Sequence, residues 1–231
     1  MRRLGWLLAL VGICFLPWRE YIAIREIVVE GGERIEAERA FQRLPFQVGA
    51  NWLTADLAAA ERSLLELPEV REAHVHRVLW GGVRVALQER EPWALVRVSD
   101  GTLYWSDDAG FLFAHARPQT LFGPVFSGLE TTETERGLRL RDLFYLAPMR
   151  ALLNAPGRFL NRITTVRFIG SDLILSLRGG PDLWVTVYDL HGEWTRWEAL
   201  VDALPQARHR ALDLRWRGMA VVRDRLARTK D

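Results

Sequence analysis

The sequence predicts an α+β fold behind an apolar N-terminal segment. Three observations carry this. Apolar residues recur at helical spacing twice between Ala37 and Leu67. Two β-branched runs then flank Gly81-Gly82, which signals a hairpin. From Pro92 onward the chain breaks into short apolar runs separated by Asp/Gly-rich turns. The expected order is an N-terminal membrane helix, then β-α-α-β-β, then a mainly antiparallel β region with two helical stretches.

Composition excludes several classes. The chain has 231 residues, 49% hydrophobic and 26% charged, which is globular material and excludes extended disorder. Cys14 is the only cysteine, so neither an intramolecular disulfide nor a multi-cysteine metal site can form. The net charge of +2 is too small to argue for nucleic acid. Its distribution is uneven: Pro205 to Asp231 holds eight basic and three acidic residues.

Residues 1–20 read as a cytoplasmic start and a membrane anchor. Arg2 and Arg3 precede an uncharged run, in which Leu4, Trp6, Leu7, Leu8, Leu10, Val11, Ile13, Phe15 and Leu16 would face lipid. A helix over this run spans roughly 20 Å, against a hydrocarbon layer of ~30 Å. A cleaved signal peptide and a short anchor therefore compete. No A-x-A site lies between Phe15 and Arg19, which favours the anchor. Arg2 and Arg3 then hold the N-terminus in the cytoplasm and send the bulk of the chain outside it.

Tyr21 to Glu30 is Ile/Val-rich and ends at Gly31-Gly32, a strand and turn. Ala37, Ala40, Phe41 and Leu44 give one short helix face, stopped by Pro45. Thr54 is the expected cap of a second helix whose stripe is Leu53, Leu57, Ala60, Leu64 and Leu67. Val70–Leu79 and Val83–Glu89 are the hairpin strands. The core of this unit should be Leu57, Leu64, Val75, Val83, Val85 and Leu87. Glu89-Arg90-Glu91 reads as a solvated strand end before Pro92.

Beyond it, strands are expected at Ala94–Val98, Leu103–Trp105, Phe111–Phe113, Ile163–Ile169, Leu173–Leu177, Leu183–Val187, Leu212–Trp216 and Met219–Val222. Helical stretches are expected over Arg139–Leu153, kinked or broken at Pro148, and Trp194–Leu204. The polar run Thr131–Glu135 reads as an exposed loop. Asp107-Asp108-Ala109-Gly110 reads as a turn rather than a catalytic carboxylate pair.

Several of these segments form a pattern in the right order. Leu67, Pro68 and Val70 are followed by Ala73, Val75 and Arg77, and then by Glu89, Arg90, Pro92 and Ala94. IVVEGGERI precedes them; Asp107 with Gly110, PVFSG at 124–128 and ALDLRWRGMAVV at 211–222 follow. This pattern resembles the bacterial cell-division family FtsQ/DivIB. Leu79-Trp80 departs from it, standing where the family usually has Trp-Pro. The resemblance implies a polypeptide-transport-associated (POTRA) domain over 21–91, a β domain over 92–223 and a basic tail over 224–231. It implies a non-enzymatic, single-pass scaffold of the inner membrane that gathers at the division septum and supports peptidoglycan synthesis there. Implied partners are membrane-anchored division proteins similar to FtsB and FtsL. The alternative is a POTRA-bearing component of a secretion or outer-membrane assembly system.

A catalytic site is not legible. No H-E-x-x-H, G-x-S-x-G, G-x-G-x-x-G or P-loop occurs. His74 and His76 share one face of a strand, where solvated side chains are the simpler reading than a metal pair. No cofactor, metal, nucleic acid or small-molecule substrate is expected. The resemblance places partner binding on the closing strand pair, at Arg215, Trp216, Gly218, Met219, Ala220 and Val221. Alternation there should turn Leu212, Leu214 and Trp216 inward and Asp213, Arg215 and Arg217 outward. The local positive charge would suit an acidic partner.

Overall fold

The computed structural model describes residues 22–115, 123–188, 190, 193–204, 210–216 and 218–224. The anchor run Leu4 to Leu16, residues 116–122, Arg217 and the tail beyond Asp224 lie outside the described residues. Among the described residues no helix is long and apolar enough to cross a membrane. The chain divides into two units, Met1–Glu89 and Arg90–Asp231.

The first unit runs β1 (Glu26–Glu30), α1 (Ala37–Arg43), α2 (Leu57–Leu65), β2 (Val70–Val78) and β3 (Gly82–Glu89). Its sheet has the order β1-β3-β2. β3 lies parallel to β1, with Ile27 opposite Val83, and antiparallel to β2, with Val75 opposite Val85. Alternation along β3 buries Val83, Val85 and Leu87 on one face, where Ala40, Ala60 and Leu64 of the helices meet them. Of the expected core only Leu57 departs; it is partly buried at the margin of the cluster.

Asp56, not Thr54, caps α2: its Oδ1 accepts from the Ala59 N–H at 2.9 Å. Thr54 is unavailable because it belongs to the preceding turn. There the Asn51 carboxamide accepts from the Leu53 and Thr54 N–H groups, and Leu53 is left exposed rather than on the helix stripe. Gly31 ends β1 with φ +89°, and a Cβ there would lie 2.1 Å from the Leu87 carbonyl oxygen, so only glycine fits. The carboxylate of Glu89 accepts from the N–H groups of Arg34 and Ile35 at 2.8 and 2.7 Å, pinning the loop that follows. Glu89 is thus a loop clamp rather than one end of a solvated run.

The second unit begins with β4 (Ala94–Arg97), β5 (Leu103–Ser106), β6 (Leu112–His115), β7 (Val125–Ser127), β8 (Thr131–Thr134) and β9 (Gly137–Leu140). It continues with α3 (Leu146–Leu153), α4 (Gly157–Leu160), β10 (Ile163–Ile169), β11 (Asp172–Leu177), β12 (Asp182–Thr186), α5 (Trp194–Ala203), β13 (Arg210–Asp213) and β14 (Val221–Asp224). Nine strands form one sheet in the order β14-β13-β12-β11-β10-β7-β4-β5-β6. One face carries Val96, Phe126, Val166, Phe168, Leu173, Leu175, Leu183, Val185 and Leu212. It packs against Met149 and Leu152 of α3, Phe159 of α4 and Trp197 and Val201 of α5.

The sheet is mixed rather than simply antiparallel. β4 pairs with β7, β7 with β10, and β12 with β13 in parallel. Helices account for two of these: a strand that returns through a helix crosses over and lands parallel to its predecessor, as β12-α5-β13 does, whereas β4 and β7 are linked through the strands β5 and β6. Thr131–Thr134 is not a loop but pairs with β9 as a separate hairpin. Thr is β-branched and suits an exposed strand; its polarity, not its backbone preference, suggested a loop. The segment expected to be helical from Arg139 becomes strand, then a tight turn capped by Asp142, then α3. Pro148 falls in the first turn of α3, where its missing N–H has no intrahelical acceptor to lose, so it does not break the helix.

Arg90 overturns the reading of a solvated strand end. It and Asp107 are buried and form an ion pair at 2.5 Å. Asp107 Oδ1 also accepts from the Ala109 and Phe111 N–H groups at 3.1 and 2.8 Å. The Arg90 guanidinium lies 4.1 Å from the centre of the Phe111 ring. Arg90 of the Glu-Arg piece and the Asp-x-x-Gly piece of the sequence pattern therefore meet in space at a single buried turn. Gly128, closing PVFSG, has φ +75°, and a Cβ there would approach the Phe168 carbonyl oxygen to 2.2 Å.

Candidate partner-binding edge

The closing pair brings the expected site residues to one end of the nine-stranded sheet. Among the described residues β14 is its last strand and pairs only with β13, with Asp213 opposite Val221 and Leu212 opposite Val222. Its other side presents backbone N–H and C=O groups to an incoming strand. Arg215, Trp216, Gly218, Met219 and Ala220 lie in the connection, and Val221 opens β14. The Met219 N–H donates to the Trp216 carbonyl at 3.2 Å, closing the turn. Trp216, Met219, Val221 and Val222 are all exposed large apolar side chains.

Two inferences from strand alternation fail here. Trp216 was expected to face the core and is exposed, because β13 ends at Asp213 and the period stops with it. Asp213 was expected to face outward and is fully buried. Its carboxylate is satisfied by two cations. Arg215 donates Nε to Oδ1 at 2.9 Å and Nη2 to Oδ2 at 2.7 Å, a two-pronged pair. Arg223 Nη2 reaches the same Oδ2 at 2.8 Å. Arg215 Nη1 donates to Asp172 of β11 at 2.5 Å, and its guanidinium lies 5.1 Å from the Trp184 ring centre on β12. Arg215 therefore bolts the end of β13 to β11 and β12.

This lowers the positive charge on offer. Arg215 and Arg223 already face Asp213 and Asp172, so the basic count overstates what an acidic partner would meet. The sequence held a signal for this: Asp213 and Arg215 stand at i and i+2, one face of a strand. Nothing in the sequence pointed to Asp172 or Trp184 as their supports.

The Asp213 carboxyl is held below the usual Asp range, chiefly by the hydrogen bond from Arg215, which outweighs the opposing effect of burial. The same bond raises Arg215 further above its already high value. The sign follows. A folded-state value below the unfolded one means the unfolded chain binds more protons in acid, so this stabilisation is present above about pH 4 and is lost below it. An Asp213→Asn variant should melt lower than the parent at about pH 6, and the gap should narrow by about pH 3. A gap that stays constant with pH would mean the charge of Asp213 contributes nothing.

The other candidate residues do not converge. His74 and His76 are exposed on β2. Among the described residues no group of three His, Cys, Asp or Glu side chains is placed to hold a metal ion.

Comparison with known proteins supports the resemblance. Residues 22–90 match the family model described as POTRA domain, FtsQ-type. That span ends one residue after β3. The chain carries an FtsQ-type POTRA domain and is similar over part of its length to cell division proteins FtsQ, which supports the FtsQ/DivIB resemblance. Among its relatives, the cell division protein FtsQ of Burkholderia pseudomallei is 33% identical over 152 residues, covering 62% of this chain and 57% of the relative. The cell division protein FtsQ of Corynebacterium glutamicum is 30% identical over 97 residues, covering 41% of this chain and 42% of the relative. The chain thus spans about half the length of the curated relatives it matches. Within the FtsQ-type unit, the pattern residues Gly31, Val75, Arg77 and Glu89 have structural tasks. Arg77, for example, donates to the carbonyls of Trp52, Leu53 and Ala55 at 2.7, 3.1 and 2.7 Å.

Proposed function

We propose that this protein is a non-enzymatic scaffold of the bacterial division complex, anchored in the cytoplasmic membrane by residues 4–16 with its bulk outside the cytoplasm. It links early and late septal components and supports septal peptidoglycan synthesis without performing it. The observation that carries this reading is the pairing of an FtsQ-type POTRA unit with a second unit whose last strand lies at the open end of its sheet. An edge strand with exposed apolar neighbours is suited to receive an extended segment of another chain. The proposed occupants are membrane-anchored division proteins similar to FtsB and FtsL. Main-chain bonds to β14 supply affinity, and Trp216, Met219 and Val222 supply side-chain contact.

Depletion in the source bacterium tests the role. Cells should elongate into filaments with unfinished septa, and the protein made in trans should restore division. Normal division after full depletion would sink the reading. Defective outer-membrane assembly with normal septation would point instead to a secretion or assembly component.

A further inference from the structure

We propose that the membrane-proximal end of the first unit is itself a lipid-contacting surface: an apolar collar of Val48, Leu53, Leu79 and Trp80 that sits in the head-group region of the bilayer. The proposal rests on the reading of residues 4–16 as a membrane anchor.

Four large apolar side chains stand out of this unit at one place. Trp80 is 86% exposed, Leu79 76%, Val48 62% and Leu53 59%. They come from two separate segments, which backbone hydrogen bonds tie to the chain entering β1. The Trp52 N–H donates to the Ile22 carbonyl at 2.6 Å, and the Gly49 N–H to the Ile24 carbonyl at 2.8 Å. The Arg25 N–H donates to the Gly81 carbonyl at 2.8 Å, and the Trp52 indole N–H to the Gly82 carbonyl at 2.8 Å. The loop before α2, the β2–β3 tip and the chain entering β1 therefore form one rigid end. Trp80 is the only described non-glycine residue with positive φ, at 69°, so the tip is held in an uncommon backbone form with its ring in solvent.

The position of this end names the occupant. Ile22, where the described chain begins, is tied to this end through its carbonyl, and the apolar run ends at Leu16. Five residues separate them, so the collar can lie no more than about 20 Å from the end of that run. A soluble domain gains nothing by leaving Leu and Trp so exposed, whereas Trp is favoured where apolar and polar phases meet. Arg25 and Arg77 stand beside the same end and suit anionic head groups. A lipid surface needs no shaped pocket, which fits side chains that project from loops rather than line a groove.

The test uses the full chain reconstituted into vesicles of phosphatidylethanolamine and phosphatidylglycerol, in a Cys14→Ser background. An environment-sensitive fluorophore is attached at Leu53→Cys, Leu79→Cys or, as control, Glu72→Cys. Glu72 is exposed on β2, roughly 20 Å from Val78 at ~3.3 Å per residue. The labels at 53 and 79 should shift to the blue and be quenched by brominated lipid, and the label at 72 should report water. Emission at 53 and 79 matching that at 72, in a chain that still floats with the vesicles, overturns the collar and leaves the anchor standing. Failure of the chain to float with the vesicles overturns both.

Discussion

Replacing Asp107 by alanine should destabilise the second unit by about 3–5 kcal/mol, the usual effect of stranding one member of a buried ion pair. Two losses combine. Arg90 keeps its charge in a site where it is 3% exposed and loses its ion pair with Asp107. The turn to Phe111 also loses the acceptor that Oδ1 supplies to Ala109 and Phe111. Against a typical domain stability of 5–15 kcal/mol this is a large fraction. Asp107→Asn separates the two, since an amide oxygen can still accept from the turn while the charge is gone. It should fall between the parent and Asp107→Ala in a denaturant titration. An Arg90→Met, Asp107→Ala double variant should be less destabilised than the two single changes added together. Additivity to within about 0.5 kcal/mol would mean that the pair is not coupled and the turn alone carries the effect.

That pair also marks where reading the sequence reached its limit. Strand-forming runs such as Ile163–Ile169 were legible because apolar residues alternate between two faces and turn residues bound them. The Gly81-Gly82 hairpin was legible because the chain must reverse there. Arg90 was not, because its neighbours Glu89 and Glu91 are charged, and a triplet of charges reads as solvated until its long-range partner is known. The parallel pairings of β7 with β10 and of β12 with β13 were implied by the helices between the strands but hidden by the shortness of β7 and β13; that of β4 with β7 has no helix to announce it. At the closing edge, alternation was carried past Asp213, where the strand stops. Trp216 was therefore assigned to the core, and Asp213 to the surface. Which residues cluster at the edge followed from their order in the chain; which of them are structural followed only from contacts with β11 and β12. Arg215 is the clearest case: a cation expected to await a partner is spent within the fold.

The second large effect is expected at β14. In an antiparallel ladder successive residues turn their N–H groups to opposite sides, so of Val221 and Val222 one points toward β13 and the other away from it. Proline removes the N–H at either position. At the inward position it breaks a rung of the β13–β14 ladder, and the melting temperature should drop. At the outward position it leaves the ladder whole and removes a donor that an added strand would need. That variant should keep the parent's melting temperature and circular dichroism while binding the partner ectodomains at least tenfold more weakly. A tenfold loss corresponds to about 1.4 kcal/mol, within reach of one or two main-chain hydrogen bonds with the ring's steric block added. Trp216→Ser and Met219→Ser should weaken binding as well, since both side chains are exposed beside the edge and bury apolar area only when a partner is present. Arg215 and Arg223 should add little to the salt dependence of binding, because they are already paired with carboxylates of the fold. Undiminished binding in both proline variants, each still folded, would remove β14 as the docking strand and place the partner elsewhere on this unit.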